Sequence, residues 1–397
     1  MTKRKSQLLE ILYSTGPVAA LKRASAKNAE RGLASELRYP FLAIVGQKEM
    51  KTALILALIN RGVGGVLLIG ARGTAKTTAV RGLLDLMPMV ERSTCEYGCE
   101  PDDIYTYGMD GVCKECATKL GMGDSITKSE PMRMVELPLN TRLEDVVGGI
   151  NERVALEQKR VLLERGILSY ADQNLLYIDE VNLLDNHIID AILDAGAQGQ
   201  YTVRRGPVAS TYRSRITLVG SMNPEEGNLR PQIQDRFGLR VLIQGVKEPT
   251  ERLNIYHRAM AYQHKPYQFV QAWLDETASA TYEIVEARKR LPKVTIGPEI
   301  EAEGLRWIQQ LNIDSHRAEL TLFEAGRAYA AADDRLQVTL DDLRAVAPLA
   351  LRQRQTDFAS HYFAEQAKED AHIAQVIGLQ IATPLATNLT NNTESPS

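Results

Sequence analysis

From Pro40 onward the chain alternates between short apolar runs and longer segments whose apolar residues recur at helical spacing. FLAIVGQKEMKTALILALIN opens as a loop and becomes an apolar helix. GGVLLIG (64–70), RMVELPL (133–139), NLLYIDE (174–180), RITLVGSMNP (215–224) and LRVLIQGV (239–246) are short apolar runs flanked by glycine, proline or acidic residues. That pattern suits strands buried on both faces. Helical patterns separate them, most clearly over 185–199. Strands alternating with helices predict an α/β fold with a five-stranded parallel sheet covered on both sides. After Pro249 only helical segments follow. One of them opens with Thr339 and Asp342 at N-cap spacing, and together they predict an all-helical lid domain. Residues 92–130 read as polar and irregular. The resulting divisions are a basic N-terminal extension (1–38), an α/β core (39–247), the helical lid (248–360), and a C-terminal helix with a disordered tail (361–397).

Composition narrows the class. Of 397 residues, 44% are apolar and 24% charged, which excludes wholesale disorder. The net charge of −3 gives no overall basic excess of the kind that coats nucleic acid. The first 38 residues are the exception, with eight Lys/Arg against three acids. No run reaches the roughly 18 apolar residues of a membrane helix, since 53–69 is broken by Asn60, Arg61 and glycines. The N-terminus lacks a secretory pattern. A cytoplasmic protein with no membrane span is expected.

Gly70-Ala71-Arg72-Gly73-Thr74-Ala75-Lys76-Thr77 follows an apolar strand and opens a helix, the context a phosphate-binding loop requires. Backbone N–H groups and the helix N-terminus would surround the phosphates. Lys76 would reach the β- and γ-phosphates, and Thr77 would ligate Mg2+. Ala75 stands where glycine is usual and would be restricted if its φ is positive. Asp179-Glu180 end the third strand, where Asp179 would hold the Mg2+ of bound ATP and Glu180 would activate water. Asn223 ends the fourth strand, beside the crevice that strand C-termini line in such sheets, and could position the same water. Arg236 precedes the fifth strand. It would either act on γ-phosphate charge from a neighbouring subunit or pair internally with Asp235 or Glu225. Arg230 competes for the same role.

All four cysteines fall in one short stretch: Cys95, Cys99, Cys113 and Cys116. Two close pairs across a short loop can close a tetrahedral Zn2+ site. A redox-sensitive dithiol, an iron–sulfur cluster and unliganded thiols remain open on spacing alone.

With these motifs in this order the chain resembles an AAA+ ATPase. FLAIVGQKEMKTAL, GGVLLIGARGTAKTTAVR, LLYIDEVNLL, NPEEGNLRPQIQDRFGLRV, IVEARKRLPKV and HRAELTLFEAGRA resemble the I subunit of magnesium chelatase over about residues 40–345. The resemblance implies that Asn223 is the sensor-1 residue, Arg236 the arginine finger and Arg317 the sensor-2 arginine. It implies a helix-2 insertion over 139–172 and a hairpin at 200–215 before sensor 1. Arg204, Arg205, Arg213 and Arg215 of that hairpin form either a solvated face or a contact surface. The implied function is an ATP-hydrolysing motor for Mg2+ insertion into protoporphyrin IX in (bacterio)chlorophyll synthesis. Its implied assembly is a homo-oligomeric ring, expected as a hexamer, with a D-type AAA+-like subunit and an H-type porphyrin-binding subunit. The alternatives are a related ATPase of cobalt chelation or protein remodelling, a nucleic-acid translocase, and a nucleotide-binding regulator without turnover. An intact Asp179-Glu180 pair opposes the last, and the charge balance makes nucleic acid an unfavoured partner.

Overall fold

The computed structural model describes residues 7–13 and 37–354, apart from 152, 153, 155, 158–161 and 207. The C-terminal helix and tail expected over 361–397 lie outside the described residues, as does most of the basic extension. Within that extension Gln7–Tyr13 is helical and buries Leu8 and Leu12.

The central sheet has five parallel strands: β1 (Val66–Gly70), β2 (Met134–Leu137), β3 (Leu175–Ile178), β4 (Thr217–Met222) and β5 (Leu239–Ile243). Their order is β5-β1-β4-β3-β2. Successive residues of a strand face opposite sides, and here both sides are apolar. Val66 and Leu68, with Leu175, Tyr177 and Val219, enter one core cluster, while Leu67, Ile69, Leu176, Ile178 and Met222 enter the other. This two-sided burial is why the strands read as continuous apolar runs.

Helix α1 (Lys48–Ile59) covers the first face and buries every residue from Met50 to Ile59. Helix α2 (Lys76–Gly82) follows the β1 loop. Helix α3 (Asn186–Gln198) covers the second face with Ile188, Ile189 and Ile192. The Asp185 side chain caps it by accepting from His187 N at 2.9 Å, and Gly199 ends it at a φ of 68°. A short helix α4 (Pro231–Arg236) precedes β5.

Beyond β5 the main helices are α5 (Pro249–His264), α6 (Leu274–Arg290), α7 (Pro298–Gln310), α8 (Arg317–Ala332) and α9 (Leu340–Leu351). The expected cap at Thr339 is a full capping box: its hydroxyl accepts from Asp342 N at 3.4 Å, and Asp342 accepts from Thr339 N at 2.7 Å. Ala280, Ile284, Leu322 and Leu343 share the apolar cluster of β1 and α1, so these helices close over the sheet. Among the described residues, no helix is long and apolar enough to cross a membrane.

The 92–130 stretch is more regular than its sequence suggests. Met89–Ser93 pairs antiparallel with Thr127–Pro131 and closes off helices Asp102–Tyr107 and Lys114–Gly121. Met89 faces Pro131 across that pair, a separation at which no local periodicity signals pairing. The expected hairpin forms from Gln200–Arg205 and Val208–Arg213.

Candidate functional site

Gly70, at the end of β1, lies where an added Cβ would sit 2.4 Å from the Ile243 carbonyl oxygen of β5. Only glycine allows β1 and β5 to remain paired there. The loop then turns through Gly73, at a φ of 77°. Ala75 also takes the left-handed conformation, at a φ of 67°. The loop thus keeps its shape without the usual glycine, at a cost of roughly 1 kcal/mol or more for the alanine methyl.

Seven loop and helix residues, Arg72 to Thr78, line a cleft of about 380 Å³ together with Asp179, Glu180, Ser221 and Asn223. The structure brings together Arg72–Thr77 of the phosphate loop, both strand-end acids and the fourth-strand asparagine expected from sequence. Lys76 Nζ donates to the Gly70 and Ala71 carbonyls at 2.5 and 2.9 Å. Burial lowers its pKa, and the carboxylates of Asp179, Glu226 and Glu180 oppose that. Thr77 Oγ1 donates to Asp179 Oδ2 at 3.2 Å. A hydroxyl and a carboxylate in contact are the hard oxygen donors that suit Mg2+ beside a nucleotide phosphate.

Three contributors, Ser221, Tyr177 and Glu226, are not among the residues expected from sequence. The β4–β3 register places Gly220 beside Ile178, so Ser221 falls beside Asp179. Its hydroxyl bonds Asp179 Oδ1 and accepts from Glu180 N at 3.2 Å. Tyr177, fully buried, donates to Thr77 Oγ1 at 3.4 Å. Arg72 pairs with Glu226 and lies 3.9 Å from Glu180. The Ser221 signal was present in the strand itself, two residues before Asn223 and therefore on the same face. Glu180 has a φ of 52°, a strained conformation for a non-glycine residue and one that concentrates at functional positions. Asn223 is buried and accepts from Glu225 N at 3.3 Å.

The two candidate arginines stand outside the cleft of their own chain. Arg236 Nη1 pairs with Asp190 and Asp194 of α3, each at 3.0 Å, instead of with Asp235 or Glu225. Arg317, at the start of α8, lies 3.6 Å from Asp235. Asp235 also accepts from Ser315 at 2.6 Å, Arg354 at 2.7 Å and the fully buried Arg240 at 3.3 Å. Burial would raise the Asp235 pKa, but Ser315, Arg354 and Arg240 outweigh it and hold the carboxyl below its ordinary value. Arg230 is exposed at the start of α4.

The cysteines converge in a second centre. The Sγ atoms of Cys95, Cys99, Cys113 and Cys116 all lie within 4.8 Å of one another. Tetrahedral Zn2+ with bonds of about 2.3 Å would space them at about 3.8 Å, so a small contraction completes the site. Cys99 N and Cys113 N point at the sulfurs of Cys95 and Cys99, at 3.4 and 3.2 Å. Burial would raise the Cys95 thiol, yet hydrogen bonds from Ser93 and the amides of Cys99 and Tyr97 bring it down to about 7. Burial pushes Cys99 up to about 12.

Comparison with known proteins bears on what the cleft belongs to. A profile described as the AAA lid domain matches residues 308–376. A magnesium-chelatase subunit ChlI homolog of Methanocaldococcus jannaschii is 41% identical over 317 residues, 80% of this chain and 85% of the relative. Magnesium-chelatase subunit ChlI of Nephroselmis olivacea is 38% identical over 317 residues, 80% and 88% of the two chains. A cryo-EM-based structure of the complex between subunits BchI and BchD of magnesium chelatase contains a chain 35% identical to this one. That match covers 80% of this chain and 96% of the other, at a TM-score of 0.44. With this identity sustained over four-fifths of its length, and with a phosphate loop and strand-end acids meeting in one cleft, the chain belongs to the ChlI/BchI family of AAA+ magnesium-chelatase subunits.

Proposed function

We propose that this protein is the ATP-hydrolysing motor subunit of magnesium chelatase and drives Mg2+ insertion into protoporphyrin IX. The observation that carries this reading is the 41% identity to a ChlI homolog over 80% of this chain, in a chain whose phosphate loop and strand-end acids line one cleft. Within the cleft, Lys76 and the loop amides bind the phosphates, and Thr77 and Asp179 hold the Mg2+ of Mg-ATP, which neutralises phosphate charge when bound. Glu180 accepts a proton from the attacking water, and Asn223 orients that water. Arg236 and Arg317 complete the reading as finger and sensor-2 residues in a homo-oligomeric ring, taken as a hexamer, with a D-type subunit stacked on it and an H-type subunit carrying the porphyrin. The test is ATP-dependent Mg2+ insertion into protoporphyrin with D- and H-type subunits added. Retained ATPase without Mg2+ insertion, but with Co2+ insertion into a tetrapyrrole, would move the assignment to cobalt chelation.

Ser221 positions the acid pair through one hydrogen bond to each residue. Removing its hydroxyl takes one hydrogen bond from Asp179 and one from the Glu180 amide. Ser221→Ala should lower kcat about tenfold, as expected for roughly 1.5 kcal/mol of lost charge-assisted hydrogen bonding. The KM for ATP should change much less, and steady-state kinetics measures both.

We further propose that the four cysteines hold one structural Zn2+. Convergence of both pairs on one point supports four-thiolate ligation over an isolated redox dithiol. Elemental analysis of protein purified without added metal should return about one zinc per chain, and Cys113→Ser should lose it. A value near zero with a readily formed disulfide would support the redox reading instead.

A further inference from the structure

The cysteine-bearing segment is docked on the 200–213 hairpin by contacts that start between its ligands. Tyr97 and Gly98 lie between Cys95 and Cys99. The Tyr97 ring stacks on Tyr212 with centroids 5.5 Å apart and planes 13° apart, and its carbonyl accepts from Arg213 N at 3.1 Å. Gly98 sits at a φ of 82°, and an added Cβ would meet Arg213 Cβ at 2.8 Å, so glycine is required for this approach. The Gly98 carbonyl accepts from Arg215 Nη2 at 3.3 Å. Just past Cys99, Glu100 and Asp103 form ion pairs with Arg213, and Glu100 also pairs with Arg215. Arg215 is further held by Asp172 at 2.7 Å. Arg213, at the end of the hairpin, and Arg215, just after it, therefore point inward as anchors, and the solvated-face reading fails for both.

Neither partner has much core of its own. The apolar cluster of the cysteine segment buries Cys99, Val112, Cys116 and Ile126, so half of it is thiol. The hairpin cluster buries Leu163, Val203 and Tyr212, with Tyr97 packed against them. A two-stranded hairpin is marginal alone in water, and metal-binding energy becomes folding energy where the apolar core is this small.

We propose that Zn2+ bound by the four cysteines fixes the 200–213 hairpin in place, with Arg213 and Arg215 as the positioning residues that carry the effect. The inference rests on the zinc reading above and deepens it, because the metal then holds Tyr97, Gly98 and Glu100 as a rigid socket for the two arginines. The exposed Arg204 near the hairpin tip is presented in a defined place only by metal-loaded protein.

The test is hydrogen–deuterium exchange on the full chain, Zn2+-loaded and chelator-stripped, with zinc measured on the same samples. Stripping should speed exchange of the 200–213 amides about tenfold or more, since local opening tracks the contacts that oppose it, and should leave α8 unchanged. Arg213→Gln should keep one zinc per chain and still speed exchange in the hairpin. That arm keeps the test decisive where stripping loosens the whole chain. One zinc in Arg213→Gln with wild-type hairpin exchange would overturn the coupling and leave the zinc site standing. No zinc in protein exposed to Zn2+ would overturn the zinc reading and the coupling together.

Discussion

Replacing Arg236 by alanine should reduce ATP turnover by roughly 10³–10⁵, the range over which phosphoryl-transfer enzymes depend on a transition-state arginine. ATP binding should survive. In its own chain Arg236 is held by Asp190 and Asp194 at 3.0 Å and does not line the phosphate cleft, so action on a γ-phosphate requires the neighbouring chain. Stability is a poor alternative explanation for lost activity. Asp190 and Asp194 are about half exposed, and pairs of that kind contribute about 1 kcal/mol or less. Mixing Arg236→Ala with Lys76→Ala protein should restore part of the activity, because one interface type combines an intact loop with an intact finger. Arg317→Ala should show no such rescue if it acts on its own chain's nucleotide. Mixed rings with confirmed subunit exchange and no recovery would shift the role to Arg230.

Glu180→Gln should bind ATP near the wild-type level and hydrolyse it about 10²–10⁴ times more slowly, the range ascribed to a positioned base. The substitution keeps size and leaves the backbone N–H bond to Ser221 Oγ in place. What it removes is proton acceptance. Lys76→Ala should behave differently and weaken nucleotide binding itself, because it deletes a charge aimed at the phosphates. Nucleotide titration with single-turnover kinetics separates the two. Equal turnover in Glu180→Gln and wild type would take Glu180 out of the chemistry.

The five sheet strands and the phosphate loop were legible because their signals are local. An apolar run ending in Gly70 or Asp179 announces both strand and site. Ser221 and Tyr177 were not singled out, because their roles depend on which strands lie side by side, and β3 and β4 are neighbours only in space. The pairing of Met89–Ser93 with Thr127–Pro131 was hidden for the same reason. Arg240 stands inside LRVLI with no local sign of what receives its charge, and it is fully buried against Asp235 and the carbonyl of Arg352. Its partners come from beyond the strand and from the chain after α9. Arg213 and Arg215 looked like surface charge because the acids that receive them, Glu100, Asp103 and Asp172, are distant in sequence.

The strand order carries a consequence for synthesis of the chain. β1 pairs only with β4 and β5, so VLLIG has no sheet partner until residues 217–243 have left the ribosome, about 150 residues after β1 itself. At roughly 5–20 residues per second, that is about eight to thirty seconds during which an apolar segment with two open edges exists on a nascent chain. Such segments are the sites at which folding chains aggregate. Yield in a cell should therefore respond to translation rate and to chaperones that shield apolar strands, and amino-acid changes that leave the finished fold untouched can still alter how much of it is made.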